Sequence, residues 1–211
     1  MDDLNREILN QVENYYKEKI LEYGQSPKGV DWNGEESQLL RFRQLMKVAG
    51  NQKSNFSIND LGCGYGALVD YLKEEFNNWN YFGVDISGDM IRSARIRFST
   101  LDCVQFRESS LLTEITDYSV ASGIFNVRLN YDEDSWWEYM TTMLDIMNAK
   151  SRLGFAFNCL TIYSDADKMR DHLYYADPCK LFDWCKKKYS RQIALLHDYD
   201  LYEFSILVRK D

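Results

Sequence analysis

Three glycines at alternate positions, Gly62, Gly64 and Gly66, stand between an apolar run and an amphipathic one, and they constrain this chain more than any other feature. Residues 56–61 read as a strand that ends at Asp60 and Leu61, and residues 67–76 have helical spacing. A strand that turns into a helix through glycines brings backbone close to a ligand, because glycine tolerates positive φ and has no side chain in the way. The helix start then offers unpaired N–H groups to a carboxylate or phosphate. A second strand over residues 81–86 carries Asp85, 19 residues beyond Gly66, where a carboxylate is placed to accept the hydroxyls of a ribose.

The rest of the chain fits around this unit. Leu4, Ile8, Val12, Tyr15, Tyr16 and Ile20 form a helical stripe over residues 4–23. A loop follows, marked by Ser26-Pro27-Lys28-Gly29, and Asn33 with Glu36 resembles a capping box before a helix carrying Leu39, Phe42, Met46 and Ala49. Ser87 is placed to cap a helix over residues 88–99, and strands are predicted at 104–108, 119–125 and 153–160. Trp136, Met140, Met143, Leu144 and Met147 mark a long helix, and Asp177-Pro178 opens another. Residues 192–197 and 202–208 read as two closing strands around a short turn. This alternation predicts an α/β, Rossmann-like, doubly wound and mostly parallel seven-stranded sheet with an antiparallel C-terminal hairpin strand. Residues 1–211 are expected to be a single domain, with 1–50 a helical cap and 56–211 the sheet core.

Charge narrows the partners. With 25 basic and 33 acidic residues the formal charge is −8, which repels a phosphate backbone and argues against nucleic acid. Lys186-Lys187-Lys188 ends a predicted helix, where cations favour the helix dipole. Five cysteines without C-x-x-C spacing and only two histidines predict free thiols and no metal site. The acidic N-terminus does not read as a signal peptide, and no apolar run approaches 18 residues, so the expectation is a cytoplasmic protein without a membrane partner, monomeric or homodimeric.

Gly62, Gly64 and Ala67 also match the looser nicotinamide-cofactor fingerprint. Three features oppose that reading: Asp60 would crowd a pyrophosphate, two helices precede the first strand, and no second nucleotide-binding half follows. Asp60-Leu61-Gly62-Cys63-Gly64-Tyr65-Gly66 resembles the first motif of class I S-adenosylmethionine-dependent methyltransferases, and Gly83-Val84-Asp85-Ile86-Ser87 resembles their second. The resemblance covers residues 56–211. It implies S-adenosylmethionine as cofactor and S-adenosylhomocysteine as product. Asp60, Gly62, Cys63 and Gly64 would then hold the methionine part, Asp85 the ribose, and Ile86 and Met90 the adenine. Ser110, beside Leu111, stands where the family often has an aspartate on the adenine amine, and Asn126 ends the region expected over the sulfonium. Arg41 is a candidate partner of the cofactor carboxylate. A non-catalytic cofactor-binding partner of another methyltransferase, or an NAD(P)-dependent oxidoreductase, is the alternative reading.

Three segments are expected to line an acceptor pocket: the first loop with Asp31 and Trp32, followed by Gln38 and Arg41; a lid-like stretch from Asn158 and Tyr163 through His172, Tyr174 and Tyr175 to Asp177; and the hairpin tip from His197 through Asp200 to Tyr202. Gly29-Val30-Asp31-Trp32-Asn33 with Ser37-Gln38 and the tyrosine-rich stretch resembles small bacterial methyltransferases encoded near surface-polysaccharide enzymes, which implies a sugar, sugar nucleotide or related small polar acceptor; the expected target atom is oxygen. An oxygen acceptor of high pKa calls for a base, and His197, at the carboxyl end of a strand, is the candidate.

Overall fold

The computed structural model describes residues 3–23 and 34–210. Helix α1 (Asp3–Tyr23) and helix α2 (Glu35–Leu45), the latter extended by a 3-10 turn over Met46–Ala49, precede the sheet. The capping box expected at Asn33 lies outside the described residues; α2 is capped by Gly34 without a side-chain bond, and the Ser37 hydroxyl instead donates to the Gly34 carbonyl at 2.9 Å.

Strand β1 (Ser54–Leu61), helix α3 (Ala67–Glu75), strand β2 (Asn77–Asp85), helix α4 (Gly88–Arg97) and strand β3 (Val104–Glu108) build the first half. Strand β4 (Thr116–Ala121), helix α5 (Glu133–Ala149) and strand β5 (Ser151–Thr161) follow, then the two-residue strand β6 (Tyr175–Ala176), helix α6 (Pro178–Lys188) and strands β7 (Gln192–Leu196) and β8 (Glu203–Arg209). The strands order as β3-β2-β1-β4-β5-β8-β7, with β6 attached to β5. Strands β1 to β5 are parallel, while β8 runs antiparallel to both β5 and β7.

Two cores sit on opposite faces of this sheet. Alternation along β8 shows why: Phe204, Ile206 and Val208 join α1, α5 and α6, while Leu207 joins α2, α3 and α4. Side-chain caps hold helix starts where the sequence predicted them. The Ser87 hydroxyl accepts from Met90 N at 3.3 Å, and Asp177 accepts from Cys179 N at 2.8 Å, with Pro178 filling the first turn.

The sheet departs from expectation chiefly in two ways: β6 is an eighth strand beside the seven expected, and the fourth strand ends early. The sequence predicts 119–125, but β4 is Thr116–Ala121. Gly123 has φ +82° and donates its N–H to Asn158 Oδ1 at 2.9 Å, so the chain leaves the ladder there. Ile124 and Phe125 keep the run apolar because they pack as loop residues, Phe125 with no exposed surface. Strand order reverses between β1 and β4, so the crevice beyond their carboxyl ends is where a ligand of such a sheet binds.

Candidate active site

A cavity of about 690 Å³ opens at that crevice. Its floor is the glycine turn. Gly62 and Cys63 both donate N–H to the Val84 carbonyl, at 2.8 and 3.0 Å, which bends the chain across the end of β2. Gly62 has φ +76°, and a Cβ there would stand 2.2 Å from Ile124 Cγ2, so turn and β4 loop touch without room for a side chain. Gly64, at φ +53°, donates its N–H to Asp85 Oδ2 at 2.8 Å, while Asp85 Oδ1 accepts from Ser87 N at 2.8 Å. Turn and acid are therefore one hydrogen-bonded unit. Each carboxylate oxygen has a second lone pair left for a ligand hydroxyl.

Two buried acids set the electrostatics. Burial pushes Asp60 up to about 7, against the hydroxyl of Tyr81, which donates to Asp60 Oδ2 at 2.7 Å; the charge of Asp85 adds to the rise. Burial also raises Asp85, opposed by the N–H groups of Ser87 and Gly64. Both acids line the cavity. A cation placed there would favour their ionised forms. Ser122, also on the wall, has a buried hydroxyl oxygen without a hydrogen-bond partner among the described residues, a group that a ligand can satisfy.

The cavity gathers most of the residues expected at the cofactor. Arg41, Asp60, Gly62, Cys63, Gly64 and Asp85 line it, as do Ile86, Met90, Ser110 and Asn126. Leu111 does not line it; its N–H and carbonyl both bond the Ser109 hydroxyl, at 3.1 and 2.9 Å, and Ser109 takes the wall position. Arg41 is committed within the protein. Its Nε and Nη2 donate to the two oxygens of Glu203 at 2.8 and 2.5 Å in a buried internal ion pair, while the residue also lines the cavity.

The acceptor-side expectations divide. Tyr175 and Tyr202 line the cavity. Asn158 does not: it is fully buried behind the wall, where it donates to Glu203 and accepts from Gly123 N. Tyr174 is buried against Trp136, with ring centroids 6.3 Å apart, while Tyr163 is exposed, its ring tilted by 37° against that of His197. His172 is exposed beside Tyr15, 3.5 Å from its hydroxyl. Asp31 and Trp32 lie outside the described residues.

His197 also stands away from the cavity. It is exposed just past β7, its ring 5.9 Å from both Tyr163 and Phe204. It does lie at a carboxyl end, as the sequence suggested, but β7 is the sheet edge, four strand spacings from β1, or about 19 Å.

Sequence reasoning missed several wall residues. Leu9, Val12, Glu13 and Tyr16 of α1 cover the cavity, and the signal was the stripe already visible in that helix. Gln38 of α2, which the sequence did place at the pocket, accepts from the Tyr65 hydroxyl at 3.3 Å and lines the cavity. Lys168 and Arg170 lie within the stretch from Asn158 to Asp177, and Asp200 within the hairpin tip, both expected at the pocket, though none of the three was singled out; Glu203 carried no local signal. The stretch between β5 and α6 is more ordered than a lid-like loop: β6 pairs with β5, Tyr174 N donates to the Asn126 carbonyl at 2.8 Å, and Val127 bridges Leu173. Among the described residues there is no cluster that could hold a metal ion, and no helix long and apolar enough to cross a membrane.

A family profile described as a methyltransferase domain matches residues 59–145. The Mycobacterium tuberculosis protein Rv1506c, whose name describes it as a methyltransferase, is 57% identical over 160 residues, covering 76% of this chain and 96% of that protein. Among solved structures, the magnesium protoporphyrin IX methyltransferase of Synechocystis PCC 6803 with bound S-adenosylmethionine aligns over 100% of this chain and 99% of its own, with TM-score 0.62 and 12% identity. The DhpI-SAM-HEP complex aligns over 96% of this chain and 98% of its own, with TM-score 0.67 and 12% identity.

Proposed function

The chain belongs to the class I S-adenosylmethionine-dependent methyltransferases, and on that premise we propose that it methylates an oxygen of a small polar acceptor, a sugar, sugar nucleotide or related metabolite. The observation that carries this is the cavity: at about 690 Å³ it falls in the range of small-molecule sites, and it continues past the glycine turn to the hydroxyls of Ser122, Tyr175 and Tyr202.

The residues at the turn fit the cofactor. Asp85, with lone pairs beyond its two backbone bonds, holds ribose hydroxyls. Asp60, raised by burial, meets positive charge, and the close-packed turn at Gly62 lets backbone reach the ligand. Ile86 and Met90 provide apolar surface for the adenine, with Ser110 at its edge. S-adenosylmethionine supplies a methyl group on a sulfonium that is already a good leaving group. What the protein adds is alignment of acceptor and methyl and exclusion of water. Leu9, Val12 and Tyr16 of α1 and the pinned β4 loop provide both. The acidic charge of −8 disfavours a nucleic-acid acceptor, which supports the small-molecule reading.

The test is transfer of labelled methyl from S-adenosylmethionine into a panel of monosaccharides, sugar phosphates and nucleotide sugars, beside tRNA and whole-cell protein. Label in a small acceptor is the expected result. Label confined to the macromolecules would overturn the reading.

A further inference from the structure

We propose that the acceptor carries a phosphoryl group, gripped at the mouth of the cavity by Lys168 and Arg170; this rests on the reading of the cavity as a small-molecule methylation site. Residues 165–171 contain Asp165, Asp167, Lys168, Arg170 and Asp171, yet only the two cations line the cavity. The first acid accepts from the hydroxyl of the wall residue Tyr202 and is held just behind the wall. Asp167 stands 3.4 Å from Lys168 on exposed surface, a contact of little energy.

The backbone fixes this orientation. Lys168 N donates to the Asp165 carbonyl at 2.9 Å, closing a turn, and Arg170 N donates to the Tyr175 hydroxyl at 2.9 Å. Tyr175 is itself a wall residue at the start of β6. The cations are thus carried on a segment anchored to β5 and to the β4 loop.

Arg170 makes the ligand chemistry specific. Its Nη1 donates to the carbonyls of Asp167 and Met169, at 3.0 and 2.8 Å, and no carboxylate of the described residues forms an ion pair with it. An arginine on a cavity wall without a carboxylate partner offers a planar fork that suits phosphoryl oxygens. Several acids of the wall belong elsewhere: Glu203 is paired with Arg41, and Asp60, Asp85 and Glu13, whose charge bears on Asp85, belong to the glycine-turn half. Asp200 shares the wall with the two cations, and Asp165 and Asp167 stand just beside it, so the grip rests on the fork geometry of Arg170 rather than on an excess of positive charge.

Calorimetry on protein saturated with S-adenosylhomocysteine tests this with glucose, glucose 1-phosphate, UDP-glucose and inorganic pyrophosphate as probes. At least one phosphorylated probe should bind tenfold or more tighter than glucose. The K168Q/R170Q variant should lose that preference while keeping its affinity for S-adenosylhomocysteine. Glucose 1-phosphate binding alone would point to a sugar phosphate, and UDP-glucose or pyrophosphate binding to a nucleotide sugar; either supports the proposal. Equal binding of glucose and the phosphorylated probes, no binding of any phosphorylated probe, or a preference that survives K168Q/R170Q would overturn it. Failure of S-adenosylhomocysteine itself to bind would instead strike the cofactor assignment of the cavity.

Discussion

Arg41 and Glu203, 162 residues apart in sequence, meet in a buried two-point ion pair that joins helix α2 to the start of β8. Asn158 donates to the same carboxylate and accepts from Gly123 N, so the pair is linked to the loop after β4. Breaking such a pair leaves one charge buried and alone, which typically costs about 3–5 kcal/mol. Glu203→Gln should therefore lower unfolding free energy by about 3 kcal/mol. The double variant Arg41→Met/Glu203→Leu should recover most of it. Chemical denaturation of the parent and the two variants checks both statements, and a Glu203→Gln change within about 0.5 kcal/mol, the usual error of such comparisons, would refute the energetic role.

Asp60 predicts a pH dependence of fixed sign. Its folded value near 7 lies above its ordinary 3.8, so between about pH 4 and 7 the unfolded chain releases a proton that the folded chain keeps. Asp60 thus takes stability away as pH rises through that window and changes nothing below it. Ligand binding runs the other way, because an ammonium or sulfonium prefers the ionised acid. Affinity for S-adenosylhomocysteine should rise between pH 6 and 8, with proton release, and Asp60→Asn should flatten the curve. Titration calorimetry in buffers of different ionisation enthalpy reads both.

Asp85→Ala should weaken S-adenosylhomocysteine about ten- to a hundredfold, the loss of about 1.5–3 kcal/mol expected for a charged acceptor. The same change frees Gly64 N, so amide exchange at the turn should speed up as well. Unchanged affinity by calorimetry would remove Asp85 from the ribose.

Gly62→Ala combines two penalties, the left-handed backbone and a 2.2 Å approach to Ile124. Together they amount to about 2–4 kcal/mol. Adding Ile124→Ala should return the packing part and leave the backbone part. Thermal denaturation of the two variants separates them, and a stable Gly62→Ala protein with full affinity would contradict the geometry.

His197→Asn should hold turnover within severalfold of the parent across pH 6 to 9, since the side chain is exposed at the sheet edge and does not line the cavity. A hundredfold fall, the scale of a lost general base, would restore it to the chemistry.

The sequence by itself determined what depends on neighbours in the chain. The glycine turn, its acid at Asp85, the Ser87 and Asp177 caps and the order of strands and helices all follow from local spacing, because φ restrictions, capping bonds and side-chain periodicity act over a few residues. Where local rules left a tie, the reading slipped: the apolar run through Phe125 looked like strand until Gly123 and Asn158 turned it out of the ladder. Only the tertiary structure decided which side chains share the cavity. Arg41 pairs with a carboxylate 162 residues away, and His197 sits at the carboxyl end of an edge strand far from the cavity. Lys168 and Arg170 reached the mouth while their acidic neighbours did not. Those outcomes are set by strand order and by long-range hydrogen bonds, which charge composition and periodicity do not encode.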